Sequence, residues 1–208
     1  MQIKIKKTEL CKLMKEMYNE KLLTDIGGNV SFKDENNGTF WISPSRIRKN
    51  TVKPNQLIEI SLKTGEIVTN TENLKPSVEW PMHLTVYQQH PTTKMILHTH
   101  APYATAYSIL EELPEIPPLT LELSILVPKI VVVPFKPSGT KELGISVSTY
   151  LDTSEIVILK NHGTVAITET DKFVDTAIKT RALEEYLRLF SLAKQLGTNI
   201  TPYPGSKI

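Results

Sequence analysis

Three of the five histidines in this sequence occupy positions where imidazole rings could bind a metal ion. His98 and His100 stand two residues apart at the end of an apolar run, residues 95–97, which predicts a strand. Because side chains two apart on a strand project from the same face, both imidazoles can reach one ion. His162 lies in a tight Asn-His-Gly turn between two apolar segments, where a bulky ring has little reason to be unless something uses it. The alternative to metal binding is that His98 and His100 are ordinary strand residues and that His162 is a hydrogen-bonded turn residue.

A carboxylate completes the candidate metal site. Glu79 falls near the start of a helix predicted over residues 77–89, with Ser77 as its N-cap, and a glutamate there also stabilises the helix dipole. Three neutral imidazoles and one carboxylate suit a tetrahedral or slightly expanded Zn²⁺ site, although manganese, iron or cobalt fit a similar set. His83, one turn beyond Glu79, is expected to be a structural neighbour rather than a ligand.

Zinc at such a site predicts Lewis-acid chemistry, because the ion has no redox chemistry of its own. Bound to a carbonyl oxygen and an adjacent hydroxyl, it would stabilise the enediolate formed when a bond next to the carbonyl breaks. A carboxylate beside the ion can leave it, accept a proton and return that proton elsewhere. We therefore expect Glu79 to be both a resting ligand and the general acid/base for a small, sugar-like substrate.

Hydrophobic periodicity predicts the elements that must position these residues. Helices are expected at residues 6–23, 77–89, 103–110, 141–151 and 171–196. Alternating or β-branched runs predict strands at residues 30–33, 39–43, 57–61, 66–68, 94–100, 129–134, 156–159 and 165–167. The last helix should direct apolar side chains toward the core, namely Phe173, Ala177, Ile178, Leu183, Leu187 and Phe190. Strands with helices between them and at both ends predict a layered α/β sandwich around a largely antiparallel mixed sheet.

The composition is that of one ordinary globular domain. The chain has 208 residues, 40% of them hydrophobic and 22% charged, enough to bury roughly two-thirds of the unfolded surface. No apolar run approaches the ~20 residues of a membrane span, and the net charge of +2 is spread without a basic stripe. We therefore expect neither a membrane nor a nucleic acid as partner. The single cysteine, Cys11, excludes a disulfide within the chain and fits a reducing cytoplasm.

Five short segments, in order along the chain, resemble the class II aldolase/adducin family. They are Gly27-Gly28-Asn29-Val30-Ser31, Ile42-Ser43-Pro44-Ser45, Pro76-Ser77-Val78-Glu79-Trp80, His98-Thr99-His100-Ala101 and Asn161-His162-Gly163. The resemblance covers roughly residues 7–196 of a single domain, 1–208, and leaves 197–208 as a C-terminal tail. It implies a three-layer α/β/α sandwich, a zinc ion held by Glu79, His98, His100 and His162, and a fourfold-symmetric homotetramer with active sites near subunit interfaces.

The same resemblance implies a site for the substrate's phosphate, made by Gly28, Asn29, Ser45 and Ser77 with Ser43 close by. Backbone amides and small hydroxyl or amide side chains can surround an anion without steric conflict. The alternative is that these segments are simply turns.

The sequence departs from the aldolase pattern at two positions. Arg46 stands where the aldolases have a glycine, and it either binds the phosphate through two hydrogen bonds or fills part of the pocket. No tyrosine occurs where the aldolases use one for a second proton transfer, and that segment holds Glu122 instead. Glu122 either takes over the catalytic role or is a solvated charge in a strand or loop.

The resemblance implies a zinc aldolase that reversibly splits a ketose phosphate, similar to fuculose 1-phosphate, into dihydroxyacetone phosphate and an aldehyde. Two other activities of the family start from related substrates: a dehydratase acting on methylthioribulose 1-phosphate, which Glu122 motivates, and a sugar-phosphate 4-epimerase. An adducin-like interaction module without metal is the non-enzymatic alternative, and the intact set of metal ligands argues against it.

Overall fold

A mixed β-sheet forms the central layer of the fold in the computed structural model, which describes residues 2–197 and 199–205. In chain order its strands are β1 (Asn29–Asp34), β2 (Thr39–Ile42), β3 (Ile58–Ser61), β4 (Ile67–Thr69), β5 (Met95–Thr99), β6 (Val132–Val133), β7 (Ile156–Leu159) and β8 (Gly163–Thr168). Across the sheet they run in the order β4-β3-β2-β1-β5-β8-β7-β6. Neighbouring strands are antiparallel, except for β6 and β7, which are parallel. The prediction of a largely antiparallel mixed sheet is confirmed.

Helices cover both faces of this sheet. They are α1 (Gln2–Asn19), α2 (Trp80–Gln89), α3 (Pro102–Ser108), α4 (Leu121–Leu126), α5 (Lys141–Leu151) and α6 (Val174–Leu196). One buried cluster, which includes Met82 and Val147, joins α2 and α5 to one face. A second cluster, which includes Leu10 and Leu183, joins α1, α3, α4 and α6 to the opposite face. The predicted three-layer α/β/α sandwich is therefore confirmed.

Strand β5 directs the first candidate metal ligand toward the α2 and α5 layer. Leu97 lies in the cluster on the α1 and α6 side, whereas Ile96 lies in the cluster on the α2 and α5 side. Because side chains alternate along a strand, His98 faces the same side as Ile96. The register pairs His98 with Asn29 of β1 on one edge and with Val165 of β8 on the other.

Backbone geometry moves several predicted boundaries. Helix α1 covers Gln2–Asn19 rather than residues 6–23, because Lys21 takes a left-handed φ of 62° and the next two backbone N–H groups bond to the Met17 carbonyl. Strand β6 covers only Val132–Val133 rather than residues 129–134, since it lies at the sheet edge and pairs with β7 alone. Of the predicted C-terminal tail, residues 198 and 206–208 lie outside the described part of the chain.

Two helix predictions are wrong in detail. The Ile178 side chain is 40% exposed rather than buried, because one residue along a helix is a rotation of about 100° from buried Ala177. Helix α2 begins at Trp80 with Glu79 in the N-cap position, so Ser77 is not its N-cap.

Within the described residues, none of the helices combines the length and apolar character that crossing a membrane requires.

Candidate metal centre and active site

His98 is a fully buried member of the candidate metal centre. Its Nδ1 lies 2.9 Å from the carbonyl oxygen of Thr164, on the neighbouring strand β8. Because a carbonyl can only accept a hydrogen bond, Nδ1 carries a proton and Nε2 faces the other candidate ligands. The sheet register therefore fixes both the orientation of the ring and the nitrogen that can bind a metal.

The three predicted histidines converge on one point. Donor nitrogens of His98, His100 and His162 lie within 4.8 Å of one another, and the Nε2 atoms of His98 and His100 are 3.1 Å apart. Ligand atoms about 2 Å from a tetrahedral ion stand roughly 3.3 Å apart, so this spacing suits a single metal ion. The predicted meeting of a strand pair with the histidine of the β7–β8 turn is confirmed.

Glu79 brings its carboxylate to the same point. Its Oε2 lies 2.8 Å from Nε2 of His98, and its Oε1 lies 3.4 Å from Nε2 of His162. The side chain reaches these rings from the N-cap of α2 and is itself buried. The structure thus gathers all four predicted ligands from β5, the residue that follows it, the β7–β8 turn and the start of α2.

Electrostatics keeps the carboxylate ionised and two of the imidazoles neutral. Burial by itself would raise the pKa of Glu79, but His98, His162 and a hydrogen bond from Ser138 outweigh burial and lower that pKa. Burial would lower the pKa of His98, but the contact with Glu79 outweighs it and raises the pKa. Burial lowers the pKa of His100 to about 3 and also lowers the pKa of His162. The His100 and His162 rings are therefore in the neutral form that a metal ion requires of an imidazole ligand.

Two glycines let the backbone pass close to these ligands. Gly28 has a φ of 78°, in the left-handed region, and a Cβ there would lie 2.9 Å from the carbonyl oxygen of His98. A Cβ on Gly163 would lie 2.0 Å from the carbonyl oxygen of Thr99. A larger residue at either position would push β5 away from its neighbour, so glycine is required beside the metal ligands.

A buried chain of hydrogen bonds holds the Glu79 carboxylate. Nδ2 of Asn29 donates to Oε2 of Glu79 at 3.0 Å, and Oδ1 of Asn29 lies 2.5 Å from Nε2 of His83. Nδ1 of His83 lies 2.7 Å from the Ser31 hydroxyl, which in turn is 2.7 Å from the Tyr87 hydroxyl. Burial lowers the pKa of His83 to about 3, so its ring is neutral. His83 is thus the expected structural neighbour, because it fixes the orientation of the Asn29 amide.

A cavity of about 110 Å³ opens beside the candidate metal ligands. Its lining combines Gly28, Asn29, Ser45 and Ser77, all predicted to bind the substrate's phosphate, with Glu79, His100 and His162. Ser43 lies behind this lining, where it is fully buried and its Oγ accepts a hydrogen bond from the Val30 N–H. The structure therefore groups the predicted phosphate residues with the metal ligands, and their role in binding phosphate stays a prediction.

Arg46 lies outside the lining of this cavity. Its side chain is exposed, and its backbone φ of 59° is left-handed, which fits the glycine that the aldolases have here. The side chain therefore does not fill the pocket. Phosphate binding by its guanidinium stays a prediction.

Replacing Arg46 with glycine should stabilise the fold by roughly 0.5–1 kcal/mol. Glycine relieves the cost of about 1–2 kcal/mol that a left-handed backbone imposes on other residues. Its larger unfolded-state entropy offsets part of this gain, by roughly 0.5–1 kcal/mol. Urea denaturation measures this change. Arg46→Ala is the matched control, since it removes the guanidinium and keeps the strained backbone. An equal stability gain in both variants would contradict the backbone explanation. A raised Michaelis constant in both would support a phosphate contact, and unchanged constants would place Arg46 outside the site.

Glu122 does not line the cavity beside the metal ligands either. It lies in the first turn of α4, where the Thr120 hydroxyl accepts a hydrogen bond from the Leu123 N–H, so this segment is a helix and not the predicted strand or loop. The side chain borders a separate groove between α4 and α6. The structure of one chain does not bring Glu122 to the site, and its catalytic role stays a prediction.

Two residues that the sequence patterns did not single out border the site. Ser138, in the loop after β6, donates a hydrogen bond to Oε1 of Glu79 at 2.8 Å. Lys49 lines the cavity and is buried. Ser138 precedes a glycine and Lys49 ends a basic run, and both patterns are typical of exposed turns. Only the packing of distant segments identifies these residues.

The layered fold and the histidine cluster beside Glu79 can be compared with those of known proteins. The family model for the class II aldolase and adducin N-terminal domain matches residues 8–190. The chain is 33% identical to an L-fuculose phosphate aldolase of Methanococcus maripaludis, over 88% of this chain and 94% of that protein. It is 36% identical to a 3-oxo-tetronate 4-phosphate decarboxylase of Haemophilus influenzae, over 56% of each protein. The solved structure of an L-fuculose 1-phosphate aldolase has a TM-score of 0.82 at 27% identity, covering 97% of this chain and 91% of that one.

The chain belongs to the class II aldolase and adducin family. The matched region lies within residues 7–196, over which the short segments resemble this family. The similarity to a named aldolase over nearly the whole of both chains supports an enzyme with aldolase-type lyase activity. Class II aldolases depend on a metal ion, and the clustered histidines are a place that could hold one.

Proposed function

We propose that this protein is a zinc-dependent aldolase that cleaves and forms a ketose phosphate resembling L-fuculose 1-phosphate. The observation that carries this proposal is the meeting of three imidazoles and the Glu79 carboxylate beside a cavity walled by glycine and serine. The relative named L-fuculose phosphate aldolase supports the choice of substrate class, because the similarity extends over almost all of both chains. The products would be dihydroxyacetone phosphate and an aldehyde.

The donor set suits zinc. Imidazole nitrogens and a carboxylate oxygen are common Zn²⁺ ligands, and burial keeps His100 and His162 unprotonated and ready to bind. A zinc ion held by these residues would supply Lewis-acid chemistry, because it would polarise a carbonyl oxygen of the substrate and stabilise negative charge that develops there. Other divalent metals are compatible with the same residues.

Proton transfer is the role that we assign to Glu79. In cleavage, one hydroxyl loses its proton and becomes the aldehyde, while the electrons of the broken carbon–carbon bond stay with the carbonyl fragment. That fragment then takes a proton on carbon. The Glu79 carboxylate, which is ionised at rest, would take up a proton from water and deliver it to this carbon; its position at the cavity, held by Asn29 and Ser138, supports this role. In the synthetic direction the same carboxylate removes this proton.

Small residues of the cavity wall are proposed to hold the phosphate. Gly28, Ser45 and Ser77 offer backbone amides or hydroxyls without bulky side chains. The Asn29 amide already bonds to Glu79 and His83, so a phosphate contact from this amide would compete with the support of the carboxylate.

We further propose a homotetramer with active sites near subunit interfaces. Two apolar side chains at the cavity, Ile26 and Val78, are 66% and 65% exposed, which favours their burial against a neighbouring subunit. Such an assembly would also allow Glu122 of one subunit to reach the site of another and accept the hydroxyl proton. Light scattering of the purified protein should give four times the chain mass of 23.4 kDa.

Incubation with Zn²⁺ and L-fuculose 1-phosphate should release dihydroxyacetone phosphate, measured by coupled reduction to glycerol 3-phosphate. Parallel incubations with ribulose 5-phosphate and methylthioribulose 1-phosphate serve as controls for the related activities. Loss of water with all carbons retained would replace the aldolase by a dehydratase, and a change of configuration without cleavage would replace it by an epimerase. Release of carbon dioxide from 3-oxo-tetronate 4-phosphate would favour the reaction named for the Haemophilus relative.

Metal analysis of the purified chain separates the enzyme from the non-enzymatic alternative. We expect one divalent ion per chain after purification without chelators. Absence of stoichiometric metal, together with unchanged properties of a Glu79→Gln variant, would favour an adducin-like interaction module.

A further inference from the structure

Lys49 places a buried positive charge beside the candidate metal ligands. It begins the short 3₁₀ helix Lys49–Thr51, is 2% exposed, and lines the cavity together with Ser45 and Ser77. Its Nζ donates a 3.3 Å hydrogen bond to the carbonyl oxygen of Pro44. Among the ion pairs formed by the described residues, none involves this ammonium group.

The buried ammonium group of Lys49 destabilises the folded protein unless it gains an anionic partner. A buried ammonium loses its hydration, and the contact with Pro44 satisfies one of its three N–H donors. Burial lowers the pKa of Lys49 to about 8 against the opposing effect of Glu79, so the side chain remains charged at neutral pH. A buried charged residue that lowers the stability of the ligand-free protein is typical of a site that binds an ion of opposite charge.

The wall around Lys49 offers hydrogen-bond donors suited to an oxyanion. The segments carrying Ser45 and Ser77 are joined by backbone hydrogen bonds, from Ser45 N–H to the Lys75 carbonyl at 2.8 Å and from Ser77 N–H to the Ser43 carbonyl at 3.1 Å. This pairing holds both hydroxyl-bearing residues beside the same cavity. The cavity thus combines a cation with small hydroxyl groups, a combination that suits a phosphate monoester.

We propose that Lys49 binds the phosphate of the substrate and makes the enzyme select phosphorylated over unphosphorylated sugars. The inference rests on the proposed function. The ammonium donates to a non-bridging phosphate oxygen, and the hydroxyls of Ser45 and Ser77 donate to others. Arg46, which the sequence suggests as a phosphate-binding residue, is exposed and lies outside the cavity lining. Lys49 belongs to that lining.

Titration of zinc-loaded protein with inorganic phosphate in a calorimeter tests this proposal directly. Lys49→Met keeps most of the length of the side chain and removes its charge, and Lys53→Met removes a nearby exposed lysine as the matched control. The dissociation constant for phosphate should rise at least about tenfold in Lys49→Met, because a charge-assisted hydrogen bond is lost, and should stay within about twofold in Lys53→Met. Equal phosphate affinity in Lys49→Met and the wild type overturns the proposal.

A purely structural role for Lys49 predicts a different pair of results. If the residue only anchors Pro44, Lys49→Met should melt at a lower temperature and bind phosphate as the wild type does. The proposal predicts weaker phosphate binding and a melting temperature at or above that of the wild type, since an unpaired buried charge is removed. If Lys49→Met does not fold, Lys49→Gln keeps a donor for Pro44 and must show the same loss of phosphate affinity.

Kinetics distinguishes failure of this inference from failure of the proposed function. If the wild type cleaves L-fuculose 1-phosphate, Lys49→Met should raise KM for that substrate by about tenfold or more and change kcat less. An unchanged KM overturns the role of Lys49 while the aldolase stands. If the wild type cleaves no sugar phosphate, the aldolase proposal fails, and the phosphate titration still decides the role of Lys49.

Discussion

Replacing His98 with alanine should leave the purified protein without stoichiometric metal and reduce cleavage of the sugar phosphate to background. His98 contributes one of three imidazoles whose donor nitrogens lie within 4.8 Å of one another. Loss of a partner that only orients a ligand weakens metal binding roughly 10–100-fold, so loss of the ligand itself should exceed that range. Plasma mass spectrometry gives the metal content, and competition with a chelating dye gives the affinity.

A second histidine provides the control for this experiment. Nε2 of His90 lies 3.0 Å from the carbonyl oxygen of Ser148, outside the metal centre, so His90→Ala should keep its metal and its turnover. Because His98 is fully buried, the melting temperatures of the metal-free wild type and variant must also be compared. A folded His98→Ala protein with wild-type metal affinity would show that the assigned ligand set is wrong.

The candidate metal ligands could be singled out from the sequence because each lies in a recognisable local pattern. His98 and His100 stand two residues apart at the end of an apolar run, Glu79 lies near a helix start, and His162 stands in a tight turn between apolar segments. Their meeting depends on the sheet order, in which β8 lies beside β5 and brings the β7–β8 turn next to the end of β5. Periodicity predicts strands but not their order, so the convergence followed from the family resemblance and not from the spacing of the residues.

Lys49 and Ser138 could not be predicted, because their importance arises only from packing between distant segments. A lysine in a basic run is normally solvated. The Lys49 side chain instead bonds to the Pro44 carbonyl and lines the same cavity as Ser77, which is distant in sequence. Ser138 approaches Glu79 from a loop that follows the edge strand. Neither approach leaves a periodic or compositional signal.

Types of element were easier to predict than their ends. Helix α5 has the predicted bounds, Lys141–Leu151, because Thr140 caps its start and its apolar face repeats regularly. Helix α1 ends at Asn19, shortly before Lys21 takes a left-handed φ. Lysine rarely adopts this conformation, so the sequence does not predict it there. The short helix of Glu122 has a Thr120 cap but too few residues for a periodic pattern, which is why a strand or loop was expected there.

Replacing Glu79 with glutamine should separate metal binding from proton transfer. The amide has nearly the size of the carboxylate, and its oxygen can still accept a hydrogen bond from Asn29. Its NH₂ group can donate to the hydroxyl of Ser138, which is able to accept as well as donate. The buried contacts therefore survive, and much of the metal should remain bound. Because an amide cannot act as a general acid or base, kcat should fall by about 10²–10⁴-fold.

The metal content and kcat of Glu79→Gln must be measured on one preparation at saturating zinc. Glu59→Gln is the matched control, since Glu59 is also a buried carboxylate with a hydroxyl partner, Thr39, but lies on β3 outside the cavity. Its turnover should equal that of the wild type. Equal turnover in Glu79→Gln would refute the acid/base role. Retained metal with lost turnover would establish it, because a residue that only held the ion would lose both together.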